Sequence, residues 1–186
     1  QYDFAFSGGL VVERYKAKNW YEPQPSLAPN SNSFMRRLTS EAPKSTCLVV
    51  DGGGTAMYAA FQSSVFSGVE RLICSTSISS MGTGLAETVG AATSGLYARY
   101  ICVIGDGSLL MTVQDLQTIV DKGINVVICV INNGGYLAIR HTQEDFLGAR
   151  FHGTHTDWNL SFPSVRNLSE AFGIPHRIIQ KQSDLE

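Results

Sequence analysis

Four solid apolar runs dominate the sequence: Cys47 to Val50, Leu72 to Cys74, Ile101 to Ile104 and Val126 to Ile131. An unbroken apolar run has no polar face, so each predicts a strand buried on both sides. Stretches of helical character lie between them, at Thr55–Gln62, Gly84–Tyr97 and Thr112–Lys122. The last has Thr112 as a candidate N-cap, Leu116, Ile119 and Val120 on one face, and Gly123 just past its end. A short helix is expected over Ser33–Glu41, ended near Pro43, and another over Val165–Phe172. A weaker apolar run, Arg177 to Ile179, follows. Alternating strands and helices predict an α/β domain with a parallel β-sheet flanked by helices on both faces. Ligands of such sheets bind beyond the carboxyl ends of the strands.

Composition sets the outer limits. The chain has 186 residues, 44% of them hydrophobic and 16% charged, with a net charge of −2. That suits one domain with a real core and leaves no polybasic arm for nucleic acid or a membrane surface. The longest apolar run is six residues, a strand length, against roughly 20 for a membrane-spanning helix. Cys47, Cys74, Cys102 and Cys129 form no C-x-x-C pair and sit in or beside apolar runs. Buried thiols in a reducing cytoplasm are the expectation, ahead of metal ligands or disulfides. Residues 1–30 are irregular in composition and read as a linker or the tail of a preceding domain, with Trp20 and Tyr21 docking it. Residues 31–186 form the domain proper. The chain begins at Gln1, without Met, and reads as part of something longer.

Small polar residues and glycines gather where the strands end. Asp51-Gly52-Gly53-Gly54-Thr55 follows the first run, Gly105-Asp106-Gly107-Ser108 the third, and Asn132-Asn133-Gly134-Gly135-Tyr136 the fourth. Ser79-Ser80-Met81-Gly82-Thr83-Gly84 lies between the second and third. Such turns let backbone N–H groups approach an anion, although tight strand-to-helix turns need glycine in any case. Asp106 and Asn133 lie 27 residues apart, just past two strands joined by one crossover. A carboxylate, a carboxamide oxygen and the Gly135 carbonyl would form a hard, oxygen-only site of the kind Mg²⁺ uses beside phosphates. An equally good account from composition has Asp106 capping a turn and Asn133 in a left-handed turn position.

Gly105-Asp106-Gly107, 24 intervening residues and Asn132-Asn133 resemble the motif of thiamine-diphosphate-dependent enzymes, which opens GDG and closes NN. The likeness extends to Ser108-Leu109-Leu110-Met111-Thr112 and Ser80-Met81-Gly82-Thr83-Gly84-Leu85, and to Ala171-Phe172-Gly173-Ile174. Together these resemble the C-terminal, diphosphate-binding domain of acetolactate-synthase-like members, over about residues 30–186.

The resemblance implies roles position by position. Asp106, Asn133 and the Gly135 carbonyl correspond to Mg²⁺ ligands. Gly107, Ser108, Gly54 and Thr55 would bind the diphosphate, although family members often carry Gln-His at Gly54-Thr55. Tyr136 follows the motif within the cofactor-binding set. Met81 matches the residue that holds the cofactor bent, and the Ser79 carbonyl would accept from its amino group. Met81 and Ser79 are thus the expected catalytic contributors. The resemblance further implies a 2-oxo acid substrate, a pyrimidine-binding domain on a second subunit and a homodimer or homotetramer. The activating glutamate belongs to that other domain, and Glu87, Glu144 and Asp145 read here as surface or helix-end charges. A last helix and strand would follow Glu186, and the 186-residue piece alone is expected to be inert.

Asn132 to Gln143 is similar to acetolactate synthases, but Gln143-Glu144-Asp145-Phe146 stands where those carry a Gln-Trp pair. A decarboxylase, or a hydrolase of a dione, competes with acetolactate formation. His152, His155, Asp157 and Trp158 are expected in a solvated loop rather than around a metal. A dinucleotide-binding domain ranks low, because no G-x-G-x-x-G turn follows the first strand. A regulatory module that binds thiamine diphosphate without turnover is the remaining alternative.

Overall fold

The computed structural model describes residues 28–185. Four parallel strands, β1 (Thr46–Val50), β2 (Val69–Cys74), β3 (Arg99–Gly105) and β4 (Val126–Ile131), form one sheet in the order β2-β1-β3-β4. All four contain the apolar runs of the sequence: β4 coincides with its run, and the other three extend theirs by one to three residues. Every residue of β1 is buried, as its central place demands. The linker expected over residues 1–30, with Trp20 and Tyr21, lies almost wholly outside the described residues.

Alternation of side chains along β1 and β3 divides the core. Leu48, Val50, Ile101 and Val103 face one side, where they meet Met35 of α1 (Ser31–Ser40) and the alanines of α2 (Gly54–Ser63). Cys47 and Val49 face the other, against Ala91 and Ala92 of α3 (Gly84–Thr93). Cys102 and Ile104 share that second face with Leu85, Leu109, Leu116 and Ile119. Small alanines let α2 approach the sheet closely, which brings its N-terminus over the strand ends. Asn30 caps α1 by accepting N–H bonds from Asn32 and Ser33 at 2.9 and 3.0 Å.

Several boundaries differ from the sequence expectation. Of the helix expected over Thr112–Lys122, only Asp115–Asp121 is helical (α5), and a short helix that was not expected, α4 (Asp106–Met111), precedes it. Thr112 does not cap α5: its hydroxyl donates to the Gly82 carbonyl at 2.8 Å, so a tertiary acceptor takes it from the local one. Gly123 does adopt a left-handed φ of 58° past the helix end. Helix α3 stops at Thr93 rather than Tyr97, because Ser94 bonds back to Ala91 and Gly95 turns left-handed at φ 65°. An unforeseen helix, α6 (Leu137–Phe146), follows the Asn132–Tyr136 turn, with no buried residue to mark it. Helix α7 spans Val165–Ala171 as expected to within a residue. Arg177–Ile179 is not a strand. It has no sheet neighbour, and Ile178 and Ile179 remain 45% and 38% exposed.

Candidate cofactor-binding site

Pairing of β3 with β4 runs to Gly105 opposite Ile131, which places the turns after both strands side by side. Asp106 and Asn133 then line one cleft with Gly53, Gly54, Thr55, Met81 and Ser108. Residues from four separate turns therefore converge at the carboxyl edge of the sheet.

Asp106 organises the cleft floor. Its Oδ1 accepts the Gly107 N–H at 2.9 Å, and its Oδ2 accepts those of Gly134 and Gly135 at 2.9 and 3.1 Å. Burial pushes the Asp106 carboxyl up from its ordinary value, and these three N–H groups pull against that. A carboxylate offers about four lone-pair sites, so three donors leave room for one further positive partner. Gly134 and Gly135 follow the chain around the carboxylate at φ 73° and 145°. A Cβ on Gly135 would stand 2.2 Å from the Thr154 carbonyl oxygen, so only glycine fits there.

Two polar atoms in this cleft are buried and have no partner among the described residues: Ser108 Oγ and Asn133 Oδ1. Unpaired buried polar atoms cost roughly 1–3 kcal/mol each, and a ligand in the cleft would satisfy both. A hydroxyl suits an anion, and a carboxamide oxygen suits a cation. Asn133 Nδ2 donates to Thr55 Oγ1 at 3.1 Å. The donor chemistry therefore fits a phosphate group accompanied by a hard cation. Gly53 is the N-cap residue of α2, whose free N–H groups favour an anion at the same place.

Glycines keep the walls close. A Cβ on Gly53 would stand 2.7 Å from Ser108 Oγ, and one on Gly107 would strike the Tyr136 ring. Tyr136 lines the cleft and meets Phe162 edge-on, with ring centroids 5.8 Å apart. Met81 is half-buried and lines the wall, near Gly53. Ser79 is set back: its peptide packs against Gly52, and its hydroxyl donates to the Thr76 carbonyl at 3.1 Å. It holds a left-handed φ of 54°, a strained conformation for a residue with a Cβ.

Asp51 is a participant that the sequence reading passed over. Fully buried, it accepts the Gly53 N–H at 2.8 Å and the Gly84 N–H at 3.0 Å. It thereby ties the turn after β1 to the start of α3. A charged residue directly abutting a solid apolar run was the available signal. Glu87, expected as a surface charge, is half-buried in the first turn of α3, with Oε2 buried and unpaired. Desolvation pushes its carboxyl up, a Thr83 hydrogen bond opposes this, and the Asp51 charge adds to the rise. Glu144 and Asp145 are exposed near the end of α6.

The histidine-containing loop packs against the far side of the Gly134-Gly135 turn. Tyr136 N–H donates to the Thr154 carbonyl at 2.9 Å, and the Gln143 side chain bonds to His152 and Thr154. His155 Nδ1 lies 3.2 Å from Asp157, and Phe151 stacks on Trp158. Between this loop, α4 and α7 lies a cavity of about 180 Å³, where Leu109, Phe162, Pro163 and Leu168 stand beside the polar Asp106 and Asn132.

Comparison with known proteins identifies the family of the chain. The family model described as "Thiamine pyrophosphate enzyme, C-terminal TPP binding domain" matches residues 51–186. The acetolactate synthase large subunit of Porphyra purpurea is 28% identical over 182 residues, covering 95% of this chain and 30% of its own. The acetolactate synthase isozyme 2 large subunit of Escherichia coli K12 is 29% identical over 168 residues, covering 90% of this chain and 30% of its own. The chain thus spans about three-tenths of the length of these relatives. A solved Rhodococcus jostii RHA1 thiamine diphosphate-dependent 4-hydroxybenzoylformate decarboxylase superposes with a TM-score of 0.73. It is 22% identical, covering 87% of this chain and 30% of that one, and it supports the fold. With the family model matching well over half of its length, the chain belongs to the thiamine pyrophosphate enzymes, as their C-terminal TPP-binding domain.

Proposed function

We propose that the cleft holds the diphosphate of thiamine diphosphate together with Mg²⁺, as one half of the active site of an enzyme acting on 2-oxo acids. The observation that carries this is the pair of buried, unpartnered atoms, Ser108 Oγ and Asn133 Oδ1, beside Asp106. Asp106, Asn133 and the Gly135 carbonyl would hold the cation. Gly54, Thr55, Gly107 and Ser108 would hold the diphosphate, with the N-terminus of α2 adding favourable dipole.

Thiamine diphosphate supplies the carbon nucleophile and electron sink needed to break the bond between a 2-oxo acid's carbonyl and carboxylate. The chain's own residues supply position and charge. Asp106 brings the negative charge that makes a cation welcome in a low-dielectric cleft. Met81 fills the wall and excludes water, and Tyr136 closes the end of the cleft against Phe162. The Ser79 carbonyl is assigned as acceptor for the cofactor's amino group, its backbone held by packing against Gly52.

The relatives' greater length supports a pyrimidine-binding domain outside this chain, contributed by a second subunit in a homodimer or homotetramer. The 186-residue piece alone is then inert. Decarboxylation or ligation of a 2-oxo acid is the reaction class, with a dione hydrolase or a non-catalytic module as its competitors. No helix among the described residues is long and apolar enough to cross a membrane, which accords with a cytoplasmic enzyme.

Calorimetry on the natural-length protein tests the assignment. Thiamine diphosphate should bind only with Mg²⁺ present, NAD should not bind, and Asp106→Ala or Asn133→Ala should abolish the Mg²⁺-dependent binding. Cation-independent binding, or tight NAD binding, would refute it. Carbon dioxide release from a panel of 2-oxo acids, pyruvate included, separates an enzyme from a module without turnover.

A further inference from the structure

A half-turn about the last torsion of Asn133 exchanges its acceptor and donor ends. Only the oxygen can face a cation, since an –NH₂ group in its place would be repelled. Here Nδ2 donates to Thr55 Oγ1 at 3.1 Å, across 78 residues of chain, and Oδ1 is buried without a partner among the described residues. Thr55 is therefore the group against which the amide is oriented.

Threonine inside a helix usually gives its hydroxyl hydrogen to a carbonyl three or four residues back. Thr39 and Thr88 do so here, to Met35 and Gly84, each at 2.7 Å. Thr55, in the first turn of α2, makes no such bond. Its side chain accepts from Asn133, and its hydrogen is left for the cleft it lines with Gly53, Gly54 and Ser108.

A hydroxyl has one hydrogen. Once that hydrogen goes to an anionic oxygen, Thr55 can meet Asn133 only as an acceptor, and the amide must answer with its N–H. We propose that Thr55 is a positioning residue coupling the two halves of the site. Its donation to the diphosphate fixes Nδ2 of Asn133 inward and turns Oδ1 to the cation. This deepens the diphosphate-and-cation assignment above and rests on it.

The test reads linkage rather than turnover. Mn²⁺ affinity, followed by its electron paramagnetic resonance signal, is measured on the natural-length protein with and without saturating thiamine diphosphate. The ratio of the two affinities is the coupling between the ligands. Wild type and Thr55→Ser should share one ratio. In Thr55→Val, which keeps the shape and loses the hydroxyl, the ratio should fall about tenfold, the scale of one hydrogen bond. Thermal unfolding checks each variant, and Thr55→Ala replaces the valine variant if that one does not fold. If the hydroxyl-less variant binds thiamine diphosphate more weakly by one factor at every Mn²⁺ concentration, with the ratio unchanged, Thr55 is a plain phosphate donor and the proposal is overturned. Wild type binding neither ligand would instead refute the underlying site assignment.

Discussion

The Asp51 carboxylate and the backbone N–H of Gly84 meet at 3.0 Å across 33 residues of sequence. The other carboxylate oxygen takes the Gly53 N–H at 2.8 Å, so one buried side chain clasps two turns beside the cofactor cleft. Replacing Asp51 with Ala strands two buried donors and should cost about 2–5 kcal/mol. Asp51→Asn keeps one acceptor and should cost roughly half of that. Urea unfolding measures both, and a loss below about 1 kcal/mol in the alanine variant would show that the clasp contributes little.

Glycine size, rather than glycine flexibility, should matter at Gly107. A Cβ there strikes the Tyr136 ring, so Gly107→Ala should displace the ring and cost about 1–3 kcal/mol. Cofactor affinity should fall with it by about tenfold or more. Gly105→Ala is the control: its φ of −78° suits alanine, and a Cβ there meets nothing within 4 Å. Equal binding by the two variants would remove the close-packing argument.

Glu87 should give the protein a pH-sensitive weakness. Its carboxyl is raised in the folded state, by burial first and by Asp51 in addition. The native protein then binds more protons than the unfolded chain between the ordinary and raised values. Stability therefore falls as pH climbs through that window, and stays lower above it. Glu87→Gln should be the more stable protein at pH 7, by no more than about 3 °C given its partial exposure, with the difference vanishing near pH 4. A glutamine variant less stable at pH 7 would reverse the sign and reject the account.

The central thiols should be inert. Burial pushes the Cys102 thiol up to about 12, and Cys47 and Cys102 are fully enclosed between sheet and helices. At pH 8 the Cys102 thiolate is about one part in ten thousand, before access is considered. Iodoacetamide followed by peptide mapping should leave Cys47 and Cys102 unmodified in the native protein and modify both in urea. Rapid native labelling of either would mean that the sheet opens locally.

The strands and the two ligand-bearing turns were legible because their signals are local. Val103 and Val50 must be apolar to lie at the centre of a sheet, and a run that serves both faces has no other pattern available. The GDG and NN segments announce their turns through small residues that few other backbones require. Helix α6 was not legible, since none of its residues is buried and no apolar stripe separates it from a polar loop. Glu87 was misplaced for a related reason: its Oε2 is enclosed by neighbours that a one-dimensional pattern does not contain.

Strand runs, helix stops such as Gly123 and the residue types at the strand ends were settled by the sequence itself, because each follows from near-neighbour sterics and hydrophobic periodicity. Tertiary structure alone decided that Thr112 serves Gly82, that Asp51 joins Gly53 to Gly84, and that Arg177–Ile179 stays out of the sheet. A hydrogen-bonding group far along the chain becomes a partner only when the fold delivers it within about 3 Å, and no local pattern records that distance.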